Sequence, residues 1–179
     1  MYEMRAFRHR LPHFYPSSSP LFITFRLHGS LPTERHFTRD RLLDRAESGP
    51  LYLKTPEIAA MVADAIESSN SQLYTLHSWV VMPNHVHLLF SSLIDPSEIM
   101  RKLKGATARR ANLILGVQGR PFWQHECSDR VVRDVKEFER VERYIAQNPV
   151  KAGLATCAEL YRWSSAWMGE DRLKPGDGL

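Results

Sequence analysis

In Asn84-His85-Val86-His87-Leu88-Leu89, two histidines stand two residues apart among apolar neighbours. Side chains alternate faces along an extended strand, so His85 and His87 would project to one side while Val86 and Leu88 enter a core on the other. Two imidazoles aimed at one point are a clamp for a divalent cation. Farther on, Tyr144 and Asn148 stand four apart in Tyr-Ile-Ala-Gln-Asn-Pro, the spacing that stacks side chains on one helical face. A phenol, with an ordinary pKa of ~10, is a poor nucleophile near neutrality. Beside a cation that polarises a phosphate oxygen it can attack phosphorus. The product is a covalent phosphotyrosine, which divides one hard displacement into two easier ones. Asn148 could supply a carboxamide oxygen as third metal ligand. A covalent link conserves the bond for rejoining, so this chemistry suits recombination better than hydrolysis.

The elements that must position these groups can be read from pattern. Residues 1–20, with Pro12, Pro16, Ser17, Ser18, Ser19 and Pro20, read as an irregular segment. Leu21 to His28 is aromatic and β-branched and reads as a strand closed by Gly29. A short helix is expected around 36–46. A clearer one opens at Pro56, with Thr55 as its cap and Ile58, Met61, Val62, Ala65 and Ile66 as its apolar stripe. Leu73–Met82 and His85–Ser91 read as strands joined by a tight turn at Pro83-Asn84. Asp95-Pro96 starts a helix with Ile99, Leu103 and Ala106 on one face, and a short strand lies within 129–134. Asp134 and Glu137 resemble a capping box. The helix behind them carries an apolar stripe of Phe138, Val141 and Ile145, which Tyr144 and Asn148 flank on the same helix, and is expected to stop at Asn148-Pro149. Strand, helix, strand, strand, helix, strand and a terminal helix make a split β-α-β order. This is an α+β, ferredoxin-like arrangement. A single domain over 21–168 is expected, with a flexible tail at 169–179.

The chain has 179 residues, with 24 basic and 20 acidic side chains, a net charge of +4. The excess is compatible with nucleic acid, and its distribution says more. Residues 101–110 hold five basic groups and no acidic one. Lys102, Lys104, Arg109 and Arg110 are candidates for DNA phosphates, contacts that position a strand without reading its sequence. Trp123 and Trp163 are candidates for stacking on bases. Two cysteines, Cys127 and Cys157, argue against a disulfide framework and make a reducing cytoplasm the default. No run approaches the ~18 apolar residues of a membrane helix, and the N-terminus lacks an apolar signal region. His125 and Cys127 form no zinc half-site, because no second pair completes them. His28, His36 and His77 have no spacing argument and read as structural.

Three stretches together are similar to the single-tyrosine HUH transposases: Phe22-Ile-Thr-Phe-Arg-Leu-His-Gly, Met82-Pro-Asn-His-Val-His-Leu-Leu, and Tyr144-Ile-Ala-Gln-Asn-Pro-Val-Lys-Ala-Gly-Leu154. Phe122-Trp123-Gln124 and Tyr161-Arg-Trp-Ser-Ser-Ala further resemble the REP-associated tyrosine transposases. The resemblance spans roughly residues 12 to 167 and implies a ferredoxin-like fold. It implies that His85 and His87 are the paired metal histidines, Asn148 the third ligand, and Tyr144 the nucleophile that joins a 5′ phosphate of cut single-stranded DNA. It further implies Mg2+ or Mn2+ as the metal, and substrates carrying hairpins of palindromic repeats. Whether a homodimer shares its tyrosine helices stays open.

Two other functions compete. A domesticated relative could grip hairpin DNA without cutting it, although His85, His87, Tyr144 and Asn148 are all in place. A small-molecule phosphohydrolase could use the histidine pair, but the third alternating position is Leu89.

Overall fold

The computed structural model describes residues 8–9, 11–12, 19–30 and 49–169. Four strands build one antiparallel sheet: β1 (Pro20–Arg26), β2 (Tyr74–Val81), β3 (His85–Ser92) and β4 (Ser128–Val131), in the order β2-β3-β1-β4. Helices α1 (Pro56–Ser68) and α2 (Pro96–Ile114) join strands of the sheet, and α3 (Val135–Lys151) follows β4. This is the split β-α-β arrangement expected of the sequence: the β2-β3 hairpin inserts β3 beside β1. Arg8–His9 and Leu11–Pro12 pair as a minimal antiparallel ribbon within the segment expected to be irregular. The helix expected at 36–46 and nearly all of the expected tail lie outside the described residues.

Each face of the sheet has its own core. Leu21, Ile23 and Phe25 of β1 and Val86, Leu88 and Phe90 of β3 meet Ile58, Val62 and Ile66 of α1 and Ile99 and Leu103 of α2. Burying such a side chain fully contributes ~1.5–3 kcal/mol, so this double row anchors the sheet. On the opposite face Phe22, Val80, Met82 and Leu89 pack against Val141 and Ile145 of α3. The β-strand period of two therefore sends His85 and His87, in step with Leu89, under α3 rather than toward α1 and α2.

Several local expectations change. Thr55 occupies the N-cap of α1, but its hydroxyl makes no capping bond; its backbone carbonyl takes the N–H of Ile58 and Ala59. On α2, Ala106 is exposed and Thr107 is buried in its place, donating to the Leu103 carbonyl at 2.7 Å. Helix α3 runs through Pro149 to Lys151. Proline disfavours the helical region for its predecessor but does not forbid it, and here only one turn follows. Gly153, at φ 68°, makes the real stop. The Gly153 N–H bonds the Val150 carbonyl at 3.0 Å and the Leu154 N–H bonds the Pro149 carbonyl at 2.8 Å, a Schellman termination. At the other end of α3 Asp134 caps the helix as expected, but the return bond from the Glu137 side chain goes to the residue before the cap. Asp134 Oδ1 accepts from the Glu137 N–H at 2.7 Å, and Glu137 Oε2 accepts from the Arg133 N–H at 3.0 Å.

Candidate active site

The β2-β3 turn holds two residues, Pro83 and Asn84, between the facing positions Met82 and His85, whose backbones bond at 2.8 Å. β3 leaves that turn with His85 opposite Arg26 and His87 opposite Thr24 on β1. Both imidazoles are wholly buried, so each ring nitrogen needs a partner. The Nδ1–H of His85 donates to Asn84 Oδ1 at 2.7 Å. Nδ1 of His87 shares a 2.8 Å hydrogen bond with Thr24 Oγ1. The two Nε2 atoms face each other at 3.0 Å. Phe22 stacks on the His87 ring, centroids 5.4 Å apart, and limits its rotation.

Helix α3 closes the site from above. Tyr144, at its half-buried border, puts its hydroxyl 3.4 Å from Nε2 of His87 and meets Phe22 edge-on at 5.9 Å between centroids. Asn148 follows one turn later and is fully buried, in line with Val141 and Ile145 rather than at the flank where the pattern placed it. Its carboxamide Oδ1 is buried without a hydrogen bond, while the residue keeps other contacts. Among the described residues no cluster of three histidine, cysteine, aspartate or glutamate side chains could hold a metal. The donor set on offer is therefore two imidazole nitrogens and an amide oxygen. Nitrogen and neutral oxygen donors of this kind suit a divalent ion with positions left for substrate.

The hydrogen-bond partners of the histidines matter for that fit. With His85 Nδ1 donating to Asn84, its Nε2 carries a lone pair. In the arrangement seen, the Nε2–H of His87 can fill the 3.0 Å gap, with Thr24 donating to Nδ1. Turning both lone pairs to one cation needs His87 in its other tautomer, with Nδ1–H donating to Thr24. A hydroxyl permits both states because it donates and accepts. Asn84 and Thr24 thus orient the pair, a role that His-x-His spacing alone does not reveal. Asn84 is adjacent in sequence, but Thr24 is identified only by the β1-β3 register.

The other candidate residues fall elsewhere. Helix α2 packs with α1, so its basic side chains stand on the far side of the sheet from His85 and His87. Lys102, Arg109 and Arg110 are exposed there, Lys102 paired to Glu98 at 2.9 Å. Lys104 instead donates to the carbonyls of Gln124 and His125 at 2.7 and 2.8 Å, tying α2 to the loop before β4. Trp123 is 7% exposed, edge-on to Phe25 at 4.9 Å, with its Nε1–H donated to Thr107 Oγ1 at 2.9 Å. It is a core residue and offers no face for a base. Trp163 is partly buried against the α1/α2 core, and its backbone bonds the edge strand β2 through Val81. His77, read as structural, shares a 2.8 Å hydrogen bond with Ser91 Oγ at a bulge in β2.

The family described as "Transposase IS200 like" matches residues 54–148, more than half of the chain and the whole span from His85 to Asn148. The chain belongs to the IS200-like transposase family. Among solved structures, a REP-associated tyrosine transposase bound to a REP hairpin matches over 92% of this chain and 82% of that one, at 19% identity and a TM-score of 0.58. That likeness places the ferredoxin-like sheet and its helices in the same fold. A candidate transposase from Deinococcus radiodurans R1 matches over 75% of this chain and 93% of that one, at 17% identity and a TM-score of 0.44. Comparison with curated proteins returns no match. No helix among the described residues is long and apolar enough to cross a membrane.

Proposed function

We propose that this transposase cuts and rejoins single-stranded DNA beside hairpin repeats through a 5′-phosphotyrosine, and that it belongs to the REP-associated branch. Tyr144 is the nucleophile, and His85, His87 and Asn148 hold Mg2+ or Mn2+. The observation that carries this reading is the convergence of three groups from two elements. The Tyr144 hydroxyl lies 3.4 Å from Nε2 of His87, which lies 3.0 Å from Nε2 of His85.

In the cutting step the Tyr144 oxygen bonds to phosphorus and the phosphorus–O3′ bond breaks. The phenol proton leaves and the 3′ oxygen regains one. Rejoining runs the same exchange backward from a 3′ hydroxyl. Phe22 and the half-buried setting of Tyr144 hold the phenol in one place, converting an encounter into a positioned attack. Bound at the histidines, a divalent ion would polarise the phosphate oxygens and offset the charge that builds on them. The solved REP-associated transposase is bound to a REP hairpin, and this supports a hairpin-bearing partner here. Lys102, Arg109 and Arg110, all on α2, would hold phosphates of the same substrate away from the reacting centre.

The test is to incubate the purified protein with Mn2+ and a single-stranded oligonucleotide carrying a hairpin, then resolve protein–DNA adducts on a denaturing gel. Wild type should form an adduct at a 5′ end, and Tyr144→Phe should bind the oligonucleotide yet form none. Equal adduct from Tyr144→Phe would overturn the mechanism. A wild type that binds the hairpin but no divalent ion would favour a DNA-binding relative without cleavage.

A further inference from the structure

Helix α3 carries Tyr144, Asn148 and Lys151 at positions i, i+4 and i+7. That spacing lays the three along one helix face. The Lys151 ammonium sits 5.7 Å from the centre of the Tyr144 ring, within the ~6 Å over which an aromatic face holds a cation. Lys151 is exposed, and among the described residues it has no carboxylate partner. From Arg143 to Ala158 the chain has no acidic side chain at all. A positive charge in the last turn also favours the helix dipole, but the dipole does not require it to lie on this ring.

Resting on the function proposed above, we infer that Lys151 is a phosphate anchor of the tyrosine site. Its ammonium takes the non-bridging oxygens of the phosphate that Tyr144 attacks, and afterwards those of the phosphotyrosine. The substrate brings a negative phosphodiester to a half-buried phenol, and attack adds electron density to the same phosphorus. A cation already over the phenol, on a flexible four-carbon stem, can leave the weak ring contact for the stronger bond to phosphate. Lys151 contributes charge, while the bond changes remain those between Tyr144, phosphorus and O3′. The histidine pair is buried and Lys151 is exposed, so the two would engage the phosphate from different sides.

The experiment compares wild type, Tyr144→Phe, Lys151→Met and Lys151→Arg with the hairpin oligonucleotide and Mn2+. It measures adduct rate at saturating DNA, DNA dissociation constant and melting temperature. Lys151→Met should lower the saturated rate about 10- to 100-fold, the loss of one hydrogen bond to a charged group, at unchanged melting temperature. Lys151→Arg should recover most of the rate. A wild-type rate in Lys151→Met overturns the inference while leaving the tyrosine mechanism standing. So does a loss that follows a lowered melting temperature and is not rescued by arginine, which would mark a helix-end role. If wild type itself forms no adduct, the underlying mechanism fails and the anchor with it.

Discussion

The Tyr144 hydroxyl lies 3.4 Å from Nε2 of His87 although 57 residues separate them in sequence. The contact exists because α3 lies across the sheet face to which odd-numbered β3 residues point. It also explains how a chain can bury two imidazoles: each nitrogen is matched by Asn84, Thr24, Tyr144 or the other histidine. Single substitutions in that arrangement, and in the surface around it, should separate the role of each group.

Thr24→Val keeps the shape of the side chain and removes the hydroxyl that lets His87 change tautomer. Losing such an outer partner typically costs 10–100-fold in metal affinity, so Mn2+ binding followed by electron paramagnetic resonance should weaken by about that factor. Thr24→Ser should retain most of the affinity. Unaltered Mn2+ binding in Thr24→Val would remove Thr24 from the site. Stripping divalent ions with a chelator should stop adduct formation and leave hairpin binding largely intact.

Replacing Arg109 and Arg110 by glutamine should weaken hairpin binding at low salt. The slope of log affinity against log salt should fall by about 1 for each phosphate that no longer has a cationic partner. Because α2 stands across the sheet from Tyr144, the adduct rate at saturating DNA should not change. A changed rate with unchanged affinity would place these arginines at the reaction instead.

Trp123→Ala should act on stability. Truncating a buried aromatic costs about 3–5 kcal/mol, and here the Thr107 hydroxyl also loses the indole N–H. Denaturant melts should show the loss, while the folded fraction binds the hairpin as wild type does. A selective loss of DNA affinity with full stability would return Trp123 to the interface.

Burial pulls the His77 imidazole below its ordinary value, opposed by the field of Glu142. Between the lowered native value and the ordinary one, the unfolded chain binds more protons than the folded one. Stability from this residue is therefore complete above the unfolded value of 6.5 and is lost as pH falls through the native value. Melting temperatures from about pH 7 to about pH 5 should fall less steeply in His77→Gln than in wild type. Identical slopes would show that His77 does not contribute.

Much of this site is legible without coordinates because it rests on two short periods. The period of two puts His85 and His87 on one side of a strand, and the period near 3.6 puts Tyr144 and Asn148 on one side of a helix. The order of elements follows from local punctuation, such as Pro56, Asp95-Pro96 and the Asp134/Glu137 box, since caps and turns act within a few residues. Other features are set by longer-range contacts. Thr24 joins His87 only through the pairing of β1 with β3. The bulge between Leu76 and Ser78 shifts the β2 register at His77 without a glycine or proline to announce it. Trp123 reads as a stacking platform in sequence, but Phe25 and Thr107 enclose it in the fold. Pro149 outweighs Gly153 as a stop signal in sequence, because the Schellman bonds that let the helix continue form only once the last turn is built. The sequence by itself determined that His85 and His87 share one strand face and that Tyr144 and Asn148 stack on one helix. Only the tertiary structure decided which faces meet, because strand register and helix docking depend on burial summed across segments far apart in the chain.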